Sequence, residues 1–69
     1  MKGSITVNGE SRPWSDQSIA DILAELGIAP ERGGVAAALN GTVVLRAEWD
    51  ETRVKLDDRI EIIEVIRGG

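Results

Sequence analysis

The last six residues of the chain, EVIRGG at positions 64–69, join an apolar run to two glycines. Glycine has no side chain, so Gly68 and Gly69 form a backbone thin enough to pass in extended form through a narrow channel. The carboxylate of Gly69 would then reach the active site of another protein. Because this carboxylate is ionised at neutral pH and unreactive toward nucleophiles, an outside enzyme would have to activate it, as an acyl adenylate. A frayed chain end is the simpler alternative.

The side chains offer little other chemistry. The sequence contains no histidine and no cysteine, which excludes most nucleophile-base pairs, disulfides and thiolate zinc sites. The acidic segment with Glu48, Asp50 and Glu51 lacks the ligand spacing of a calcium loop. Gly33-Gly34 lacks the Lys-Ser/Thr of a phosphate-binding loop. We therefore expect no catalytic side chain and no metal site, and a solvated acidic surface.

The composition is that of an ordinary soluble domain, with 42% hydrophobic and 29% charged residues. Its 69 residues are too few for two cores, so we expect one domain. No apolar run approaches the roughly 20 residues of a spanning helix, and the N-terminal segment turns polar at Asn8, unlike a secretory signal. A cytoplasmic location is expected. The net charge of -4 disfavours nucleic acid and is compatible with a basic protein partner.

The strands are marked by alternation and by two Asn-Gly pairs, which favour hairpin turns. The first strand runs into Asn8-Gly9, and Pro13 limits its partner to a short edge strand. The second pair, Asn40-Gly41, divides two short β-branched runs. Further on, we expect a loop with a short strand around Val54 to Leu56, and then a last strand over residues 59–66.

One helix is predicted over residues 18–27. Ser18 is its expected N-cap, Asp21 completes a weak capping box, and Gly27 provides a left-handed end. Its apolar stripe has the spacing i, i+3, i+4 and i+7 and consists of Ile19, Ile22, Leu23 and Leu26.

A single apolar helical stripe has to pack on a sheet. Parallel terminal strands at the sheet centre would bury four residues under the helix: Ile5, Val7, Ile60 and Ile62. The predicted fold class is α+β, a β-grasp with a mixed four- to five-stranded sheet and one main helix on one face. A ferredoxin-like sandwich is disfavoured because a second helix is missing. The aromatic residues Trp14 and Trp49 either anchor a partner or cover the ends of the core.

These segments resemble the ThiS family, the ubiquitin-like sulfur carriers of thiamine thiazole synthesis. The resemblance covers nearly the whole chain and is carried by VNGE at 7–10, by the segments 19–28, 35–49 and 56–63, and by the final glycine pair. Three positions depart from the family pattern. Asp57 replaces a glycine, Leu45 replaces a proline, and Ile66-Arg67 stands where small residues are common. Asp57 tolerates a positive φ in the way that asparagine does.

The resemblance implies a carrier that is not itself an enzyme and binds no cofactor. An E1-like adenylyltransferase of the ThiF type would use ATP and magnesium to adenylate Gly69. Sulfur from a cysteine desulfurase would convert the adenylate to a thiocarboxylate, which a thiazole synthase of the ThiG type would consume. With no cysteine in the chain, the terminus is its only covalent handle for sulfur.

The resemblance also divides the chain into a β-grasp domain, residues 1–66, and a flexible tail, residues 67–69. Arg67 and Gly68 would thread into partner active sites, and Val65 and Ile66 would lie in the binding surface. Three alternatives remain. The chain could be a sister carrier for molybdopterin or cysteine synthesis, a ubiquitin-like protein modifier, or an interaction module with an inert tail.

Overall fold

The computed structural model describes residues 3–29 and 31–65. Its elements follow one another in the order β1 (Ser4–Val7), β2 (Glu10–Pro13), α1 (Ile19–Glu25), β3 (Val35–Leu39), β4 (Thr42–Val44), a 3₁₀ turn (Arg46–Glu48) and β5 (Arg59–Glu64). The strands form one five-stranded sheet in the order β2-β1-β5-β3-β4. The first and last strands pair in parallel at its centre, as predicted, and the other neighbours are antiparallel.

The core lies between one face of the sheet and α1. The four sheet residues predicted to be buried are all at most 9% exposed. They share one apolar cluster with the helix residues Ile19, Ile22 and Leu23. Because the cluster lies on one side only, inward and outward positions alternate along each central strand. Within the described residues, no helix is long and apolar enough to cross a membrane.

Both Asn-Gly pairs form the predicted turns. Asn8 and Gly9 have φ values of 51° and 83°, and Asn40 and Gly41 have values of 51° and 85°. Two consecutive residues with positive φ define the type I′ geometry that matches the twist of a hairpin.

The two asparagine side chains also hold β5. The Oδ1 atom of Asn8 accepts a hydrogen bond from the backbone N–H of Ile62 at 2.8 Å. The Oδ1 atom of Asn40 accepts one from the N–H of Arg59, also at 2.8 Å. The Nδ2 group of Asn40 donates to Asp58 Oδ1 at 2.9 Å. Each turn therefore helps to set the position of the central strand.

The helix begins as predicted, with a complete capping box. Ser18 Oγ accepts from the N–H of Asp21 at 3.2 Å, and Asp21 Oδ2 accepts from the N–H of Ser18 at 3.0 Å. Gly27 has a φ of 80°, the expected left-handed end. The prediction for Leu26 was wrong: it is the C-cap and is 37% exposed. Ile28 turns back beyond Gly27 and is buried in its place.

The strand expected around Val54 to Leu56 does not form. Val54 is buried, but its N–H donates to the carbonyl of Gln17 at 2.9 Å and its carbonyl accepts from Trp14 Nε1 at 2.8 Å. These bonds tie the segment to the approach of α1, where Arg53 forms an isolated antiparallel bridge with Ser18 and no strand. Asp57 has a φ of 68°, so the expected glycine-like conformation is confirmed.

Both tryptophans belong to the fold. Trp49 is 4% exposed and its Nε1 donates to the Val44 carbonyl at 3.0 Å, so it is a core residue and not a partner anchor. Trp14 is half-buried and packs against the same core.

Candidate functional site

The sheet face opposite α1 carries exposed apolar side chains. Val43 is 66% exposed, Ile63 is 57% exposed and Val65 is 63% exposed. Alternation along β5 places Ile63 on the side away from the core, because its neighbour Ile62 is buried. Burial of these side chains by a partner would be favourable, since apolar surface gains about 25 cal/mol per Å² on leaving water.

Strand register joins these residues into one patch. In one row Ala38 pairs with Val43 on β4 and with Glu61 on β5. In the next row Ala36 pairs with Ile63. The alanines keep the patch shallow, so the larger side chains project beyond it. We call this surface, consisting of Ala36, Ala38, Val43, Glu61 and Ile63, the outer face.

Val65, the last residue that the structure describes, lies at one end of this surface. Val65 directly follows β5, and its N–H donates to the carbonyl of Gly34 at 2.6 Å. This bond extends the β3·β5 pairing past the last residue of the strand. Glu64 Oε2 lies 2.8 Å from Arg32 Nη1. The segment 31–34 therefore contacts Glu64 and Val65, the last two residues that the structure describes.

Arg46 connects the same segment to the core. Its Nη2 donates to the backbone carbonyl of Arg32 at 2.6 Å. Its guanidinium carbon lies 4.6 Å from the centre of the buried Trp49 ring. A cation above an indole ring is attracted to its face. We call Arg32, Gly34 and Arg46 the root clamp, because they hold Glu64 and Val65 against the fold.

Of the site residues predicted from the sequence, the structure places Val65, exposed and beside the outer face. Ile66, Arg67, Gly68 and Gly69 lie outside the described residues. Sequence reasoning did not single out Ile63, Val43 or the root clamp. A signal for Ile63 was present in the sequence. Ile63 lies two residues after Glu61, so the two side chains are on the same outward face of β5, and Ile63 is apolar there.

The acidic residues singled out in the sequence lie at the surface. Glu48, Asp50 and Glu51 are exposed, as expected of a solvated acidic surface. Among the residues that the structure describes, no three carboxylates are grouped so as to hold a metal ion.

A helix lying on a mixed sheet whose first and last strands pair in parallel defines a ubiquitin-like β-grasp protein. The candidate site lies where the central strand ends, at Val65. The model of the ThiS family matches residues 5–69, and the chain belongs to this family.

Individual relatives agree in length and structure. The chain is 31% identical over 65 residues to the sulfur carrier protein ThiS of Thermus thermophilus, covering 94% of this chain and 98% of that protein. It is also similar to a ThiS thiamine biosynthesis protein of Geobacter metallireducens. The crystal structure of that protein has a TM-score of 0.76 and 30% identity, covering 96% of this chain and 99% of the other. Its NMR solution structure has the same TM-score and identity, with coverage of 96% and 87%.

Proposed function

We propose that this protein is a sulfur carrier of thiamine thiazole biosynthesis that holds sulfur as a thiocarboxylate on Gly69. The observation that carries the proposal is the family match, which extends through residue 69. The absence of cysteine supports it, because no side chain can hold a persulfide. In this proposal residues 1–66 are the folded domain, 67–69 are the tail, and the protein acts in the cytoplasm.

The chemistry is performed on the carrier and not by it. The Gly69 carboxylate attacks the α-phosphate of magnesium-ATP in a ThiF-type adenylyltransferase, and pyrophosphate leaves. A persulfide derived from a cysteine desulfurase then attacks the acyl carbon and displaces AMP, which gives an acyl disulfide. A thiol reductant cleaves the S–S bond and leaves the thiocarboxylate, which a ThiG-type thiazole synthase consumes. ATP and magnesium belong to the partner enzyme.

The outer face is the proposed docking surface for these enzymes. Ile63 and Val43 contribute exposed apolar area that the fold does not use, and Val65 continues this surface to the start of the tail. A partner bound there would receive the tail at its own active site. Arg67 and Gly68 would then lie in the channel, with Val65 and Ile66 at its mouth.

The direct test measures sulfur on the full chain. Incubation with the adenylyltransferase, magnesium-ATP, a cysteine desulfurase with cysteine, and a thiol should replace one oxygen by sulfur, as seen by intact mass. A chain lacking Gly69 should not change. No mass change from partner enzymes that charge their own carrier would refute the proposal. Thiazole formation, as opposed to sulfur transfer into a molybdopterin or cysteine pathway, separates this function from the sister carriers.

The docking surface is tested by a matched pair of variants. Ile63→Gln should raise the KM of the adenylyltransferase for this carrier by about tenfold, because one buried apolar contact is worth roughly 1–2 kcal/mol. Leu26→Gln makes the same change at an exposed leucine at the end of α1, and it should leave KM unchanged. Equal KM values for both variants would place docking elsewhere.

A further inference from the structure

We propose that the root clamp is a positioning device that fixes the direction in which the tail leaves the fold. The inference rests on the proposed function and deepens it. Docking through the outer face brings the carrier to its partner, and the clamp then aims the tail at the reacting atoms. Arg32, Gly34 and Arg46 are positioning residues in this scheme, because they act through Glu64 and Val65.

The first element of the clamp is the backbone bond between Gly34 and Val65. It lies one residue before β3 and one residue after β5, so it continues the central pairing up to the start of the tail. Gly34 has a φ of 76°, and a Cβ added to it would lie 3.0 Å from the Val65 carbonyl oxygen. Both the backbone conformation and the close approach therefore require glycine at this position.

The second element is the ion pair between Arg32 and Glu64. Their side chains are 48% and 40% exposed. Exposed pairs of this kind contribute little to stability, about 0–1 kcal/mol. The pair therefore adds one weak contact between Arg32 and the last residue of β5.

The third element is the anchorage of the clamp itself. The segment 31–34 contains Gly33 and Gly34 and would have wide conformational freedom if it were held only by its ends. Arg46 removes this freedom by binding the Arg32 carbonyl and stacking over Trp49. Because the Trp49 ring is buried and its N–H is bonded, it is a fixed support. Arg46 thereby connects the core to the segment 31–34, which contacts Glu64 and Val65.

The direction of departure matters because of leverage. Held extended in the partner's channel, residues 66–69 would reach at most about 14 Å beyond Val65. A rotation of roughly 20° at its origin would displace the far end by about 5 Å over that reach. A misplacement of only about 1 Å can cost on the order of a hundredfold in rate. Even a modest loosening at Glu64 and Val65 would therefore reduce turnover.

The test compares variants of the full chain in the sulfur-loading reaction. Arg46→Met keeps an unbranched stem over Trp49 but removes the donor to Arg32. We expect kcat to fall about tenfold with KM unchanged, and hydrogen exchange of the Val65 amide to rise about tenfold. Arg46→Lys, which can still donate, should recover most of kcat. Gly34→Ala should act in the same direction with a larger effect.

The matched control is Arg53→Met. Arg53 is an exposed arginine that pairs with Asp16 at 2.8 Å and takes no part in the clamp, so kcat and Val65 exchange should stay at the wild-type values. For the ion pair, Arg32→Glu and Glu64→Arg should each lower kcat, and their combination should restore it. A combination that fails to restore kcat would show that the partner recognises these charges directly and would overturn the positioning role of the pair.

The inference and the proposed function fail in different ways. A wild-type chain that takes up no sulfur from active enzymes refutes the proposed function, and the positioning role with it. A wild-type chain and an Arg46→Met chain that are charged with equal kcat refute the inference alone. A rise in KM without a fall in kcat for Arg46→Met would assign Arg46 to docking and would also overturn it.

Discussion

Ile60 and Ile63 lie on the same strand, three residues apart, in opposite environments. Ile60 is 0% exposed and packs in the cluster that contains Ile19 and Ile22 of α1, whereas Ile63 is 57% exposed on the outer face. Both are large β-branched residues typical of strands. The difference shows that the helix covers only one face of the sheet. The apolar side chains of that face form the core. The apolar residues of the other face are therefore available for binding.

The largest expected effect breaks the buried side of this comparison. Ile60→Ala should lower the free energy of unfolding by about 2–5 kcal/mol, because it removes buried methyl groups and leaves a cavity. Ile63→Ala should change it by less than about 0.5 kcal/mol. Urea unfolding followed by tryptophan fluorescence measures both. A comparable loss for the two variants would show that the outer face is part of the core.

A smaller effect is expected at the element that covers the buried face. Ser18→Ala removes the N-cap bond to the Asp21 amide and should destabilise the protein by about 1 kcal/mol. Ser11→Ala, at an exposed serine of β2, is the control and should be neutral. Sulfur loading by Ser18→Ala below its unfolding transition should match the wild type, because the outer face is unaltered. Reduced sulfur loading of the folded Ser18→Ala variant would show that the helix cap influences the outer face.

The smallest expected effect is a pH dependence at the same cap. The backbone N–H of Ser18, which donates to the Asp21 carboxylate, lowers the pKa of that group from its ordinary value of 3.8. A lowered pKa means that the stabilisation is present above 3.8 and is lost as pH falls through the folded-state pKa. Asp21→Asn should thus be less stable than wild type near neutral pH and equal to it well below 3.8. A difference that persists in acid would contradict this cause.

The locally encoded parts of the fold could be predicted from the sequence. The Asn-Gly turns, the capping box and the positive φ of Asp57 each depend on residues within a few positions of one another. The parallel terminal strands followed from the apolar pattern, because one helical stripe needs one sheet face to cover it. These predictions are confirmed.

The features that could not be predicted depend on distant contacts. Val54 is a residue type typical of strands, but its backbone is bonded to Gln17 and Trp14, which are about forty residues away. In the root clamp, Arg32 contacts both Arg46 and Glu64, and no spacing in the sequence relates these three residues. For the tail itself, the sequence remains the source of the prediction, since residues 66–69 lie outside the described part.

The Asn-Gly turns also determine how the protein ages chemically. Asparagine is a thermolabile residue. Before glycine, the next backbone nitrogen attacks the side-chain amide, ammonia is lost, and water then opens the resulting succinimide to aspartate or isoaspartate. At Asn8 an aspartate oxygen could still accept the Ile62 bond. At Asn40 the lost amide is the donor to Asp58, so deamidation would set two carboxylates against each other at the start of β5. Asn40 is therefore the position at which storage damage should first weaken the central strand.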